Sequence, residues 1–267
     1  MYNIILDSKE MTVNTDIQIV NNCFLSHKDM ATCLRINDCF PGSILNFSRL
    51  NYIQDKKSIP VGSIKFIQSA IGLSMQKPEY QLHSRLEVPD ELRVPEFLGR
   101  KYSVGTVRDN KHNISSKTSY FVKTLAPVDC YKNILSGSEL VASHIFEDVN
   151  IIVSGVLDIK SEWRVFVLNG EIVNLACYKA KNYSKMPDIS AVTKMIQAYT
   201  NCPPAYVLDV AVTAKGTFVL EAYNFLGVEL YSTCWDDSLL EMLVKGYEWE
   251  VSLGDKYSVQ KGFFYMR

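Results

Sequence analysis

The chain carries almost no net charge: 28 Lys and Arg stand against 29 Asp and Glu, a formal balance of −1. That balance gives no electrostatic footprint for duplex nucleic acid, and no basic run marks a membrane-surface segment. No apolar run approaches membrane-spanning length. Residues 1–7 lack the basic head and cleavage pattern of a signal peptide, so a cytoplasmic setting is expected. The seven cysteines, at 23, 33, 39, 130, 177, 202 and 234, are odd in number, scattered and without a CxxC pair. Neither a disulfide framework nor a zinc site follows. His27, His83, His112 and His144 show no paired metal spacing, and no internal repeat or low-complexity stretch is visible. What is there is ordinary for a globular protein: 267 residues, 47% hydrophobic and 21% charged, enough to bury a core.

The densest pattern runs from 161 to 173. Two runs rich in β-branched and aromatic residues flank Asn169-Gly170, a dipeptide that accepts positive φ at both central turn positions, so a tight hairpin is expected. Period two puts Trp163, Val165 and Val167 on one face and Glu162, Arg164 and Phe166 on the other. A second hairpin is expected from 205 to 224, with its turn at 213–216. Asp209 and Glu221 each interrupt an otherwise apolar strand there. Two carboxylates side by side in a sheet repel unless a cation lies between them, and oxygen ligands of that kind suit Mg²⁺. Two unrelated acids on a solvated edge explain the same spacing.

Residues 1 to about 90 mix short apolar runs, among them 3–6 and 17–20, with Asp, Asn and Pro punctuation, which suggests a small α/β unit. Gly62-Ser63 reads as a turn able to aim backbone N–H groups at a ligand. Prolines at 78, 89 and 95 mark the connector taken as a boundary, giving an N-terminal α/β domain at 1–95 and a second domain at 96–267. A strand over 119–126 lodges Lys123 among apolar residues, either snorkelling to solvent or serving as a point charge for phosphate. Then come a loop with Lys132 and Gly137, a helix capped by Ser138, a strand over 150–158 and, near the end, an amphipathic helix carrying Trp235, Leu239, Met242, Leu243 and Trp249. The backbone of the 150–158 strand can offer N–H and C=O groups to the edge of an adenine ring. Cys130 and Cys177 read most simply as inert thiols.

In this order the motifs 121–124, 151–154 leading into 161–167, 208–210, 220–221, 224–225 and 230–231, with 60–63 and 98–100 upstream, resemble the ATP-grasp superfamily. The nearer resemblance is to its phage- and bacteria-associated clade of ligases named for two arginines and a lysine. It implies an α+β ATP-grasp fold, two α+β lobes clamping a nucleotide, preceded by the small α/β N-terminal domain. The lid lobe would span about 116–157 and the core lobe about 158–267. It further implies adenine against Val153, Ser154, Gly155 and Val156, with Arg100, Lys123, Glu162 and Arg164 in the nucleotide site. Lys123 and Arg164 would be the catalytic cations, and Mg²⁺ would sit on Asp209, Glu221 and Asn224. The implied activity is ATP-dependent activation of a carboxylate as an acylphosphate, attacked by an amine or another nucleophile, on small-molecule or peptide substrates.

The sequence also departs from that pattern. Gly155 stands where many relatives have a glutamate for the ribose. Asn224 follows Glu221 by three residues rather than two, leaving Tyr223 at the expected position, and only Gly137 remains of the glycine-rich loop. A one-residue shift turns a side chain to the other face of a strand unless a bulge corrects it. A non-catalytic or regulatory nucleotide-binding protein with a degenerate site is therefore the alternative to a ligase, and phosphoryl transfer to an alcohol is a third reading.

Overall fold

A computed structural model of the protein describes residues 3–6, 44–46, 58–61, 64–77, 79–83, 87–125, 131–143, 147–181, 185–231 and 238–264. The 17–20 run, Gly62-Ser63, His27, Cys130, His144 and Trp235 lie outside the described residues. The fold is α+β and, among the described residues, built on three sheets. Strands β1 (Asn3–Leu6), β2 (Ile44–Asn46) and β3 (Ser58–Val61) form a small parallel sheet in the order β2-β1-β3, and helix α1 (Ile64–Ser74) follows it.

The lid sheet contains β4 (Tyr102–Gly105), β5 (Ser119–Thr124), β6 (Lys132–Ser136) and β7 (Ile151–Gly155), all antiparallel, in the order β4-β7-β5-β6. Its first strand therefore lies upstream of residue 116. One face buries Tyr120, Val122, Ile151 and Val153 against Val107 and Leu140, which belong to the short helices α3 (Val107–Asn110) and α4 (Gly137–Ala142). The cap of α4 is Ser136 rather than Ser138. Its hydroxyl accepts from the Glu139 N–H while the Glu139 carboxylate accepts from the Ser136 N–H, a reciprocal capping box. Gly137 sits where the chain has no room for a side chain, since a Cβ there would lie 2.0 Å from the Ser115 carbonyl oxygen. Gly137→Ala is accordingly expected to destabilise the protein by roughly 1–3 kcal/mol through forced backbone movement, read as a lower midpoint in chemical denaturation. An unchanged midpoint would show that the 115–118 loop yields freely.

The core sheet comprises β8 (Ile159–Leu168), β9 (Glu171–Ala180), β10 (Ala205–Thr213) and β11 (Gly216–Asn224), antiparallel in the order β11-β10-β8-β9. The turn joining β8 to β9 has φ of 51° at Asn169 and 85° at Gly170, as the dipeptide requires. Trp163, Val165 and Val167 join Tyr206, Leu208 and Val210 on one face, packed under α2 (Pro95–Leu98) and α5 (Ile189–Ala198). Asp188 caps α5 through Ser190 N–H and Ala191 N–H. The opposite face buries Phe166, Leu168, Ala205 and Val207 beneath the C-terminal helix α6 (Ser238–Phe264), with Ile59, Ile67 and Ile71 of β3 and α1 in the same cluster. That helix covers only one end of the face. At the other end lie Glu162, Arg164, Asp209 and Glu221, turned toward the lid sheet. No helix among the described residues is long and apolar enough to cross a membrane.

Candidate active site

Between the lid and core sheets lies a cleft of about 510 Å³. The lid contributes the face of its sheet opposite the buried one. Phe121 and Lys123 of β5, Lys132 and Ile134 of β6, Ile152 and Ser154 of β7 and Tyr102 of β4 all line it, as the register across the four strands demands. The core sheet contributes Glu162, Tyr178, Lys179, Leu220 and Glu221, and 155–157 with Ile159 join the two. The lid wall mixes Phe121, Ile134 and Ile152 with Lys123 and Lys132, and the core wall carries Glu162, Lys179 and Glu221.

Charge in the site is arranged as three ion pairs, Lys123 with Glu221, Arg164 with Asp209 and Lys179 with Glu162. Lys123 reaches across the cleft so that its Nζ lies 2.5 Å from Glu221 Oε2; their side chains are 8% and 21% exposed. Beneath the cleft floor, Arg164 Nε donates to Asp209 Oδ1 at 2.9 Å and Nη2 donates to Oδ2 at 2.8 Å. Such a fork on a carboxylate is the strongest geometry for this pair. Arg164 is 5% exposed and Asp209 1%, and neither lines the cleft directly. Arg164 also donates through Nη1 to the Glu229 carbonyl at 3.1 Å and through Nη2 to the Tyr223 hydroxyl. Rings of Tyr231, Tyr223 and Tyr178 surround its guanidinium at 4.9, 5.4 and 5.6 Å from their centroids. Burial works against its charge, but the Asp209 hydrogen bonds and the neighbouring groups outweigh it and hold the guanidinium above its ordinary range. Burial, reinforced by Asp209, pushes the Tyr223 phenol well up.

A bulge creates the row of charges. Val210 pairs with Val219 but Asp209 pairs with Glu221, which leaves Leu220 as the extra residue on β11. Counted from the turn without the bulge, Asp209 would face Leu220, and Glu221 would point into the opposite face. With it, Arg164, Asp209 and Glu221 stand opposite one another on three neighbouring strands. The pairing then continues in step, so Tyr223 is the next residue on the Glu221 face. Asn224 is tied elsewhere: its amide donates to the Gly246 carbonyl at 3.0 Å and to Glu250 Oε2 at 3.1 Å, both in α6. The expectation that Asn224 ligates metal does not hold in this geometry, because no bulge follows Glu221 and the side chain is committed to the helix.

Of the other expected residues, Arg100, Lys123, Ser154, Gly155, Val156 and Glu162 all line the cleft. Val153 does not, since alternation along β7 puts it in the lid core and sends Ile152 to the cleft instead. Arg100 donates to the carbonyls of Leu98 and Val219, at 2.9 and 2.8 Å, and burial pushes its guanidinium down to about 10. Glu162 accepts from Lys179 Nζ at 2.7 Å and from the Tyr178 hydroxyl at 3.2 Å. Tyr178, whose ring stacks on that of Tyr231 at 5.1 Å, is a site residue that the sequence does not single out. Counting outward from Asn169-Gly170 sets Tyr178 opposite Ser161, on the Trp163 face. A bulge at Val173 turns it to the cleft and a second leaves Tyr178 itself as the extra residue between Cys177 and Lys179; no residue type announces either bulge.

Among the described residues no group of three or more His, Cys, Asp and Glu side chains gathers in metal-binding geometry. The pair Asp209 and Glu221 fits a hard cation of the Mg²⁺ type, which takes one or two carboxylates and completes its shell with phosphate and water. Each Asp209 oxygen keeps acceptor capacity beyond its bond to Arg164.

The sequence profile of the ATP-grasp domain, second family of the clade named for two arginines and a lysine, matches residues 97–237, more than half of the chain. Among curated proteins, no sequence matches. The fold is similar to that of a D-alanine–D-alanine ligase from Bacillus anthracis, with a TM-score of 0.54 and 11% identity over 96% of this chain and 100% of that one. The same enzyme complexed with ATP matches at a TM-score of 0.54 and 11% identity, over 97% of this chain and 99% of that one. The D-cycloserine synthetase DcsG matches at a TM-score of 0.53 and 10% identity, over 93% and 99%. At these identities the likeness establishes the ATP-grasp fold.

Proposed function

The chain belongs to the second family of the ATP-grasp clade named for two arginines and a lysine, and from that premise we propose that it is an ATP- and Mg²⁺-dependent ligase that joins a carboxylate to an amine or another nucleophile. The observation that carries the reading is the cross-cleft pair: Lys123 on the lid sheet meets Glu221 on the core sheet, directly beside the Arg164–Asp209 pair. Cations from one lobe facing carboxylates from the other make a place for a polyphosphate, where Lys123 would turn from carboxylate to phosphate and Glu221 would be left to hold a divalent cation. The apolar side chains of Phe121, Ile134, Ile152 and Val156 suit a purine ring beside it. That one likeness is to a ligase complexed with ATP agrees with this reading.

In the proposed reaction a carboxylate oxygen of the substrate attacks the γ-phosphorus and the bond to the bridging β-oxygen breaks, so ADP leaves and an acylphosphate forms. An amine then attacks the acyl carbon, the C–O bond to phosphate breaks, and the amine gives up a proton. Lys123, with Lys132 and Lys179 at the cleft wall, neutralises the phosphate oxygens, and Arg164 supplies fixed positive charge beneath them while holding Asp209 in place. Asp209 and Glu221 would hold Mg²⁺, which when bound neutralises charge on the transferring phosphate. No covalent protein intermediate is needed, because positioning and electrostatics suffice for phosphoryl transfer. A nucleotide-binding protein without turnover is the second reading, favoured by the tie between Tyr223 and Arg164 at the place where a further oxygen ligand is expected.

Thermal denaturation with ATP, ADP or GTP, each with and without Mg²⁺, tests the clamp. At a hundredfold excess over Kd a ligand bound only to the folded state adds about 2.7 kcal/mol. For a protein of this size that corresponds to a rise in Tm of roughly 5–10 °C. The expected result is a rise specific to adenine nucleotide and larger with Mg²⁺; no rise at millimolar nucleotide overturns the site. ADP release on addition of a carboxylate and an amine, with a product heavier by the condensed partner, separates a ligase from binding without turnover and from a kinase.

A further inference from the structure

The cleft described above is built to accept one divalent cation, with Arg164 standing permanently where a second would have to sit. We infer this from the commitments of the groups around Asp209, and the inference rests on the proposed nucleotide site. Asp209 gives both of its oxygens to Arg164 and is 1% exposed. Four of the five N–H groups of Arg164 are engaged, two by Asp209, one by the Glu229 carbonyl and one by the Tyr223 hydroxyl. Three aromatic rings close around the guanidinium. A guanidinium held by hydrogen bonds on its edges and by rings on its sides cannot swing away to admit a metal ion.

The available oxygens point to the same count. Among the described residues that line the cleft the acids are Glu162 and Glu221. Glu221 stands opposite Asp209, so the two can share one cation once Lys123 turns to phosphate. Glu162 is two residues along β8 from Arg164, with β10 between it and β11, and it holds Lys179 and Tyr178. A second cation bridging Asp209 and Glu162 would lie against the Arg164 charge and meet like-charge repulsion in a water-poor setting.

On the Glu221 face the next side chain is Tyr223, and its oxygen accepts from Arg164. Tyr223 therefore acts as a positioning residue. It fixes the guanidinium and withholds from the cleft the oxygen that a carboxylate at the same place would offer. The fixed charge of Arg164 substitutes for a second metal's neutralising role, in a position set by the fold rather than by ion concentration.

Mn²⁺ counted by electron paramagnetic resonance on protein loaded with a non-hydrolysable ATP analogue tests this, with retained nucleotide measured by equilibrium dialysis in the same samples. The expected result is one Mn²⁺ per nucleotide-loaded chain and no spectrum of a coupled metal pair. Tyr223→Phe is expected to keep the count at one, and Tyr223→Asp to raise it to two with a coupled-pair spectrum. Two Mn²⁺ on the unaltered, nucleotide-loaded protein would overturn the inference while leaving the nucleotide site standing. Absence of retained nucleotide would overturn both. A Tyr223→Asp protein that retains nucleotide and still binds one Mn²⁺ would remove the part assigned to Tyr223.

Discussion

Arg164→Ala is expected to destabilise the fold by about 3–5 kcal/mol, because it strands the Asp209 carboxylate in a place where water cannot replace the lost partner. For a protein of this length each kcal/mol corresponds to roughly 2–4 °C in Tm, so the loss is expected at about 6–20 °C. Arg164→Lys keeps a charge but loses the two-pronged contact with Asp209 and the flat surface against Tyr178, Tyr223 and Tyr231, and should fall between the two. Removing both partners, as in Arg164→Ala with Asp209→Ala, should cost less than the sum of the single changes, since no unpaired charge remains. Chemical denaturation of the unaltered protein and of the four variants, the single Asp209→Ala among them, reads all of this. A single Arg164→Ala loss below about 1 kcal/mol would mean that the pair is solvated, contrary to its burial.

Lys123→Ala is expected to act on binding rather than on folding. Glu221, its partner, reaches the cleft and can be rehydrated when the lysine is removed, so the nucleotide-free protein should keep its Tm within a few degrees. Charge-assisted hydrogen bonds contribute about 1.5–3 kcal/mol each. The Kd for ATP with Mg²⁺ should therefore rise roughly 10- to 100-fold, and titration calorimetry gives it directly. A change below twofold would take Lys123 out of the phosphate site and leave its contact with Glu221 as a strut between lobes. The contrast with Arg164 is informative, since two cations paired with two neighbouring carboxylates are expected to fail in different assays.

Much of this is readable from residue order. Asn169-Gly170 announces its hairpin, period two sorts Trp163, Val165 and Val167 from Glu162, Arg164 and Phe166, and the interruptions at Asp209 and Glu221 mark two acids that the core sheet sets side by side. What escapes are features that depend on whole-sheet geometry. Val153 is expected at the adenine because its strand is legible but its facing is not, and facing is decided by what packs behind it, here Val107 and Leu140. Ser136 rather than Ser138 caps α4 because the chain turns directly out of β6 at Ser136, two residues before the point that local composition suggests. Tyr178 reaches the cleft through a bulge at a valine, a residue type at home in regular strands. Asn224 resembles a ligand by composition and proves to be a tie to α6, whose Glu250 is held against it by the packing of the helix on the sheet.

The extra residue at Leu220 gives the hairpin a parity. Glu221 lies five residues from Gly216, whereas Asp209 lies four from its partner Thr213, and the bulge at Leu220 absorbs the odd one, so Glu221 shares the Asp209 face. A chain of the same length that paired this hairpin without the bulge could keep every acid, lysine and arginine unchanged and still present Glu221 to the wrong side of the sheet, whereas loss of Leu220 would remove the bulge and leave that glutamate opposite Asp209. Substitution removes a group from such a site, whereas a change of register turns the group away with its identity unchanged, so the pairing of this hairpin matters as much as the residues it displays.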